Sequence, residues 1–324
     1  MAGNRVALAL GSGGARGYAH IGVITELHAR GYEIVGIAGS SMGALVGGLE
    51  AAGKLDEFAD WAKALTQRAV LRLLDPSIAA AGVLRAAKIL DAVHDILGDV
   101  TIEDLPIPYT AVSTDLIAGK SVWLQRGRVD AAIRASIAIP GVITPHILDG
   151  RLLADGGILD PLPMAPIAAV NADLTIAVSL SGSEADGRYE PSDAEPRATT
   201  EWWNRMWRST SSLFESSTML NRFGPASDDA DDDAEPVSES DSDDELVDSG
   251  REAAVPKMGS FEVMNRTIDI AQAALARHTL AAYPPDLLIE VPRSACRSLE
   301  FHRAAEVIDI GHELAAQAIK ALAG

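Results

Sequence analysis

Apolar runs of strand length at residues 6–10 and 34–38 each break into a glycine-rich turn and then a helix-like stretch, so the chain opens as β-turn-α-β-turn-α. That alternation predicts an α/β fold with a mainly parallel central sheet flanked by helices. Helical spacing returns at 55–65 and 83–97; in the second segment Val83, Leu84, Ala87, Leu90, Val93 and Leu97 share one face. Strands are predicted at 109–113 and 121–124 around a turn at Ala118-Gly119, then a short helix over 129–137 that ends before Pro140. A short strand at 152–154 and a buried strand at 172–180 follow. The pattern resumes with a helix over 261–282, a strand at 287–291 and a terminal helix over 302–322.

Residues 182–258 break this rhythm and read as an insertion between two parts of one domain, 5–181 and 259–324. The tract 226–250 is dominated by Asp, Glu and Ser, which cannot bury enough apolar surface to offset the entropy of ordering, so disorder is expected there. Ahead of it, residues 197–223 hold Trp202, Trp203 and Trp207 with four arginines against two glutamates. Two readings of this amphipathic segment stay open. It packs over the domain as a lid or outer helix, or it lies in a membrane interface and brings the protein to lipid.

At 324 residues and 48% hydrophobic, the chain has ample material for a core. Its single cysteine, Cys296, rules out an intrachain disulfide and makes a reducing compartment the default. The uncharged stretch 34–49 is short for a spanning helix and carries five glycines, so no transmembrane segment is expected, and the N-terminus lacks the apolar core of a signal peptide. The formal charge of −19 is mostly local: twelve of the 46 acidic residues lie between Asp228 and Asp248, and the remainder carries 34 acidic against 27 basic residues. Such a balance argues against nucleic acid as a partner.

The candidate chemistry begins at Gly39-Ser40-Ser41-Met42-Gly43, where a predicted strand meets a predicted helix. A nucleophile elbow needs this context, because bulky neighbours would collide in so tight a turn and the helix N-terminus favours a developing oxyanion. The motif alone is weak, since small residues gather in any αβ turn. The loop after the first strand, Gly11-Ser12-Gly13-Gly14-Ala15-Arg16-Gly17, strengthens it: successive glycines let backbone N–H groups approach a substrate oxyanion. Phosphate cradling is the competing reading of that loop, but Arg16 stands where a dinucleotide fingerprint needs its third glycine, and no Gly-Lys-Ser/Thr follows. Among seven histidines, His28, His94, His278 and His312 fall in helical patterns; His20 and His146 remain minor candidates for a base. Asp155, at the end of a short strand and followed by Gly156-Gly157, is the stronger candidate, with an ordinary Asp-Gly turn as the plain alternative.

Taken together and in order, Gly11 to Gly17, Gly39 to Gly43 and Asp155-Gly156-Gly157 resemble the three motifs of the patatin-like phospholipases, and most closely the bacterial branch related to neuropathy target esterase. Segments 135–140, 285–289 and 301–304 resemble that branch too, so the likeness covers residues 5–181 and 261–315. It implies a patatin-like three-layer fold and a Ser-Asp dyad. Ser41 would attack the carboxylic ester of a phospholipid or lysophospholipid, and Asp155 would take its proton. It also implies an oxyanion hole from Gly13 and Gly14, with the Met42 amide as a further donor, and no cofactor or metal. Two positions depart from the family pattern: Ser12 replaces a glycine, and Asp160 stands where asparagine is frequent, so a second carboxylate near Asp155 is expected to raise the pKa of one of them. A cytoplasmic enzyme with peripheral contact at the inner membrane surface follows from this reading. The alternative function is a catalytically idle lipid-binding or adaptor module. A Ser-Asp-His hydrolase would have its elbow after more strands than this one.

Overall fold

Alternation along the first strand, β1 (Arg5–Leu10), sets the architecture. Val6, Leu8 and Leu10 point into one core, and Ala7 and Ala9 into another on the opposite face. The parallel strands beside it repeat the division: β2 (Glu33–Ser40) sends Ile34 and Ile37 one way and Ala38 the other, while β7 (Leu174–Gly182) sends Ile176 and Val178 against Ala177. Large aliphatics on one face and alanines on the other give a thick helical layer and a thin, closely packed one.

The computed structural model describes residues 4–73, 87–140, 143–182 and 260–322. The chain divides into two units, Met1–Pro191 with Asn265–Gly324, and Ser192–Met264. Apart from the first turn of one helix the second unit lies outside the described residues, and with it the tryptophan-rich segment, including Trp202, Trp203 and Trp207, and the acidic tract.

Helices α1 (Ala19–Ala29), α2 (Met42–Ala51), α3 (Leu55–Lys63), α4 (Gln67–Leu73), α5 (Ala87–Leu97) and α6 (Val129–Ser136) come from the first part of the chain. α7 (Ser260–Ala282) and α8 (Ala304–Leu322) close it. The predicted start of the helix at 83 lies outside the described residues. The terminal helix opens with a 3-10 turn at Phe301–Arg303. α8 packs along α1 on the thick side, whereas Ala276 of α7 joins the alanine face.

Eight strands form one sheet among the described residues, in the order β5-β6-β3-β2-β1-β7-β8 with β4 on β3. β1, β2, β3 (Tyr109–Asp115), β7 and β8 (Leu287–Pro292) run parallel. β4 (Lys120–Leu124), β5 (His146–Leu148) and β6 (Arg151–Asp155) are antiparallel to their neighbours. β5 went unpredicted, because three residues next to a proline leave no period to read.

The pairing of β3 positions the candidate site. β3 pairs with β2 through Tyr109–Val112 and with β6 through Ser113–Asp115, while β4 runs along its other edge. β2 and β6 therefore occupy the same edge of β3, end to end. One runs upward and stops at Ser40; the other runs downward and stops at Asp155.

Candidate active site

Because two strands abut on a shared neighbour, their C-terminal residues meet. Ser41 follows β2 directly and Asp155 ends β6, and the Ser41 hydroxyl donates to Asp155 Oδ2 at 2.6 Å. Both residues are buried.

Ser41 sits in a strained turn, with φ of 54° and ψ of −120°, at the N-cap of α2. A side chain at Gly39 would run into the carbonyl of Gly43, and one at Gly43 into the carbonyl of Leu10. These two positions thus require glycine by close approach, as an elbow demands. The Ser41 N–H donates to Ser136 Oγ at 2.9 Å, and that hydroxyl donates to the Val112 carbonyl at 2.6 Å. Ser136, at the end of α6, therefore ties the elbow to β3.

Asp155 is held from several sides. Its N–H donates to the Ala138 carbonyl, its carbonyl accepts from Thr114 Oγ1, and its Oδ1 accepts the Gly157 N–H at 2.7 Å. Gly156 and Gly157 form the short 3-10 turn that lets the amide reach back. Burial raises the carboxyl to a pKa of about 6, against the lowering effect of the Ser41 and Gly157 hydrogen bonds. Asp160 is likewise raised to about 6 by burial, and its N–H donates to the Gly156 carbonyl. The expected mutual repulsion of the two carboxylates is thus corrected: desolvation raises each one by itself.

The glycine loop follows β1 at the same end of the sheet. The amides of Gly11, Ser12 and Ala15 are taken by the carbonyls of Val178, Pro161 and Ser298. Those of Gly13, Gly14 and Met42 have no acceptor among the described residues. Gly14 has φ of +59° and faces Ser298, so only glycine fits this turn without strain. Ser12 turns its hydroxyl toward Gly157.

Two buried side chains hold this loop. Arg16 donates from Nε to the Gly13 carbonyl at 3.2 Å, and its guanidinium also meets Asp269 of α7 at 3.1 Å and Ser298 Oγ. Fixing the Gly13 carbonyl fixes the plane of the Gly13–Gly14 peptide, and hence where the Gly14 N–H points. Gly17 packs against the Met42 side chain. His20 Nε2 lies 2.8 Å from the Gly11 carbonyl, so this nitrogen carries the proton and the ring is neutral; burial lowers its pKa to about 4. His20 is therefore committed to the loop, and Ser41 Oγ has its hydrogen bond to Asp155 instead. His146 sits on β5 opposite Leu153, with its pKa lowered by burial and by Arg134.

The structure brings Ser41 and Asp155 into contact and puts Gly13, Gly14 and Met42 at the same end of the sheet, their amides without an acceptor among the described residues. Sequence reasoning missed Ser136, Thr114 and the anchoring roles of Arg16 and His20. The segment 135–140 carried the one available signal, a family likeness around Ser136.

With this geometry in place, comparisons with known proteins decide the family. The family model described as patatin-like phospholipase matches residues 8–168. An uncharacterized NTE family protein of Mycobacterium tuberculosis is 68% identical over 336 aligned positions, covering 98% of this chain and 92% of that protein. This chain belongs to the NTE family of patatin-like proteins. Among more distant members, the neuropathy target esterase sws of Drosophila melanogaster is 33% identical over 57% of this chain and 13% of its own length. Among solved structures, VipD from Legionella pneumophila aligns over 99% of this chain and 67% of its own with a TM-score of 0.45 and 14% identity. Lipid esterase activity is what membership of the NTE family implies. Among the described residues, no helix of this family member is long and apolar enough to cross a membrane.

Proposed function

We propose that the protein is a serine esterase that hydrolyses the carboxylic ester of a phospholipid or lysophospholipid through an acyl-enzyme on Ser41. The observation that carries this reading is the 2.6 Å hydrogen bond from Ser41 to a buried Asp155 at the end of an abutting strand. In this mechanism Ser41 Oγ attacks the carbonyl carbon as its proton passes to Asp155 Oδ2. The amides of Gly13, Gly14 and Met42 receive the oxyanion, aided by the N-terminus of α2. Collapse of the tetrahedral intermediate expels the alcohol, which takes the proton back from Asp155. Water then attacks the acyl-enzyme with Asp155 as base, and the fatty acid leaves from a regenerated serine. A carboxyl raised to about 6 is a better base near neutral pH than an ordinary aspartate while remaining ionised there. The reaction takes place on the cytoplasmic side, with the protein meeting the inner membrane surface peripherally.

The test is labelling by a fluorophosphonate with chelator present, followed by a peptide map. Adduct at Ser41 in the wild type, none in Ser41→Ala and a collapsed yield in Asp155→Asn are expected. An unlabelled, folded wild type would overturn the esterase reading.

A further inference from the structure

Beyond the level of Ser41 and Asp155, the antiparallel strands continue past the ends of β1 and β2 as an arm. Ser113 pairs with Asp155 and Asp115 with Leu153; the Leu116 N–H then donates to the Leu152 carbonyl at 2.9 Å. Ile147 of β5 pairs with Leu152 in turn. Leu116, Leu152 and Ile147 thus form a row on one face of the arm, and Ile117 follows at the β3–β4 turn. β3 runs two residues past Ser113 before it ends at Asp115, a rise of about 7 Å, and the turn that follows stands above the candidate nucleophile on the rim of the site.

What stands on the rim is apolar. Ile117 is 82% exposed and Ile147 is 71% exposed, and Leu116 is exposed beside them. The first tip is stiff, because Asp115 Oδ1 accepts the N–H groups of both Ile117 and Ala118 at 2.9 Å. That contact also turns the Asp115 carboxylate inward. Lys120, which pairs with Asp115 across the turn, and Arg151, which opens β6, are exposed, and their side chains have no hydrogen bond or ion pair among the described residues. Asp149 is the exposed opposing charge at the second tip. Two cations thus flank two exposed isoleucines at the mouth of the site.

We propose that the tips at Leu116–Ile117 and Ile147 seat the protein on a lipid–water interface bearing anionic headgroups, which rests on the lipid-ester reading above. Ile117 and Ile147 enter the boundary between headgroups and acyl chains, and Lys120 and Arg151 meet the phosphates. Separate convex tips suit a deformable lipid surface, whereas a protein partner would need a continuous patch or groove. Seated in this way, the open end of the sheet faces the ester.

The experiment is co-sedimentation of the full chain with phosphatidylglycerol and phosphatidylcholine vesicles, alongside hydrolysis of a short-chain ester in free solution. Ile117→Asp with Ile147→Asp is expected to weaken partition to phosphatidylglycerol roughly tenfold while leaving turnover of the soluble ester unchanged. Lys120→Gln with Arg151→Gln, which disturbs no packing, is expected to weaken it several-fold and to leave the residual binding indifferent to phosphatidylglycerol. Sedimentation of the double isoleucine variant like wild type, or of wild type with neither vesicle, would overturn the proposal; equal wild-type binding to phosphatidylcholine would overturn its anionic part. A wild type that binds vesicles through these residues but cleaves no soluble ester would refute the esterase reading and leave this one standing.

Discussion

The parallel half of the sheet and the antiparallel arm solve opposite problems with the same backbone. β1, β2 and β7 are covered on both faces, so their strands read as nearly unbroken apolar runs, and what they offer chemistry is backbone: free amides and a serine in a strained turn. β4, β5 and the start of β6 are exposed on at least one side, and the arm contributes the charged partner, Asp155, and the apolar rim. The parallel half makes a rigid donor set. The arm brings a carboxylate down to it and lifts side chains away from it. The difference teaches that the candidate site is a seam between two kinds of sheet, held at β3, which pairs with both.

The most severe way to break the seam is at its two ends. Ser41→Ala and Asp155→Asn should each lower kcat for ester hydrolysis by about 10³-fold or more, and the double variant should fall little further, because the two act as a unit. Additive losses in steady-state kinetics would separate them. Next comes Arg16→Met, which leaves the parallel strands intact but frees the Gly13 carbonyl. A loss of roughly 10- to 100-fold in kcat, with KM much less affected, is expected if the Gly13–Gly14 peptide serves the transition state.

Stability sharpens the comparison from the arm side. The folded protein holds the Asp155 proton up to about pH 6, whereas the unfolded chain releases it near the ordinary aspartate value. Its contribution to stability is therefore complete below about pH 4 and lost as pH rises through 6. Asp155→Asn should thus raise the free energy of unfolding above pH 6, by as much as about 3 kcal/mol less whatever its hydrogen bonds lose, and the melting temperature with it, and gain little at pH 4. In the wild type, kcat/KM should fall as pH drops below about 6, since the base must be ionised. Ser136→Ala removes the link between elbow and β3 and leaves the Ser41 amide and the Val112 carbonyl unpaired; denaturant titration should register a loss of about 1–3 kcal/mol. Asp160→Asn is the mildest: the same sign of pH-dependent stabilisation with ester hydrolysis retained, since among the described residues the Asp160 side chain has no hydrogen bond to Ser41 or Asp155 and burial alone shifts it.

The sequence by itself determined the parallel half. Alternating Leu and Ala, glycine-rich turns at strand ends and a serine between two required glycines are local signals, each readable within about ten residues, and the Asp-Gly-Gly triplet marked the candidate base. Only the tertiary structure decided how these meet. That β6 continues the edge on which β2 stops is a property of pairing across 114 residues of chain, and no periodicity encodes it. The same holds for Ser136 beneath the elbow, for Arg16 reaching Asp269 on a helix near the far end of the chain, and for an arm whose three-residue strand is too short to have a period. Desolvation belongs to that second class as well: the carboxyl of Asp155 is shifted by what surrounds it, and its surroundings come from four separate stretches of chain.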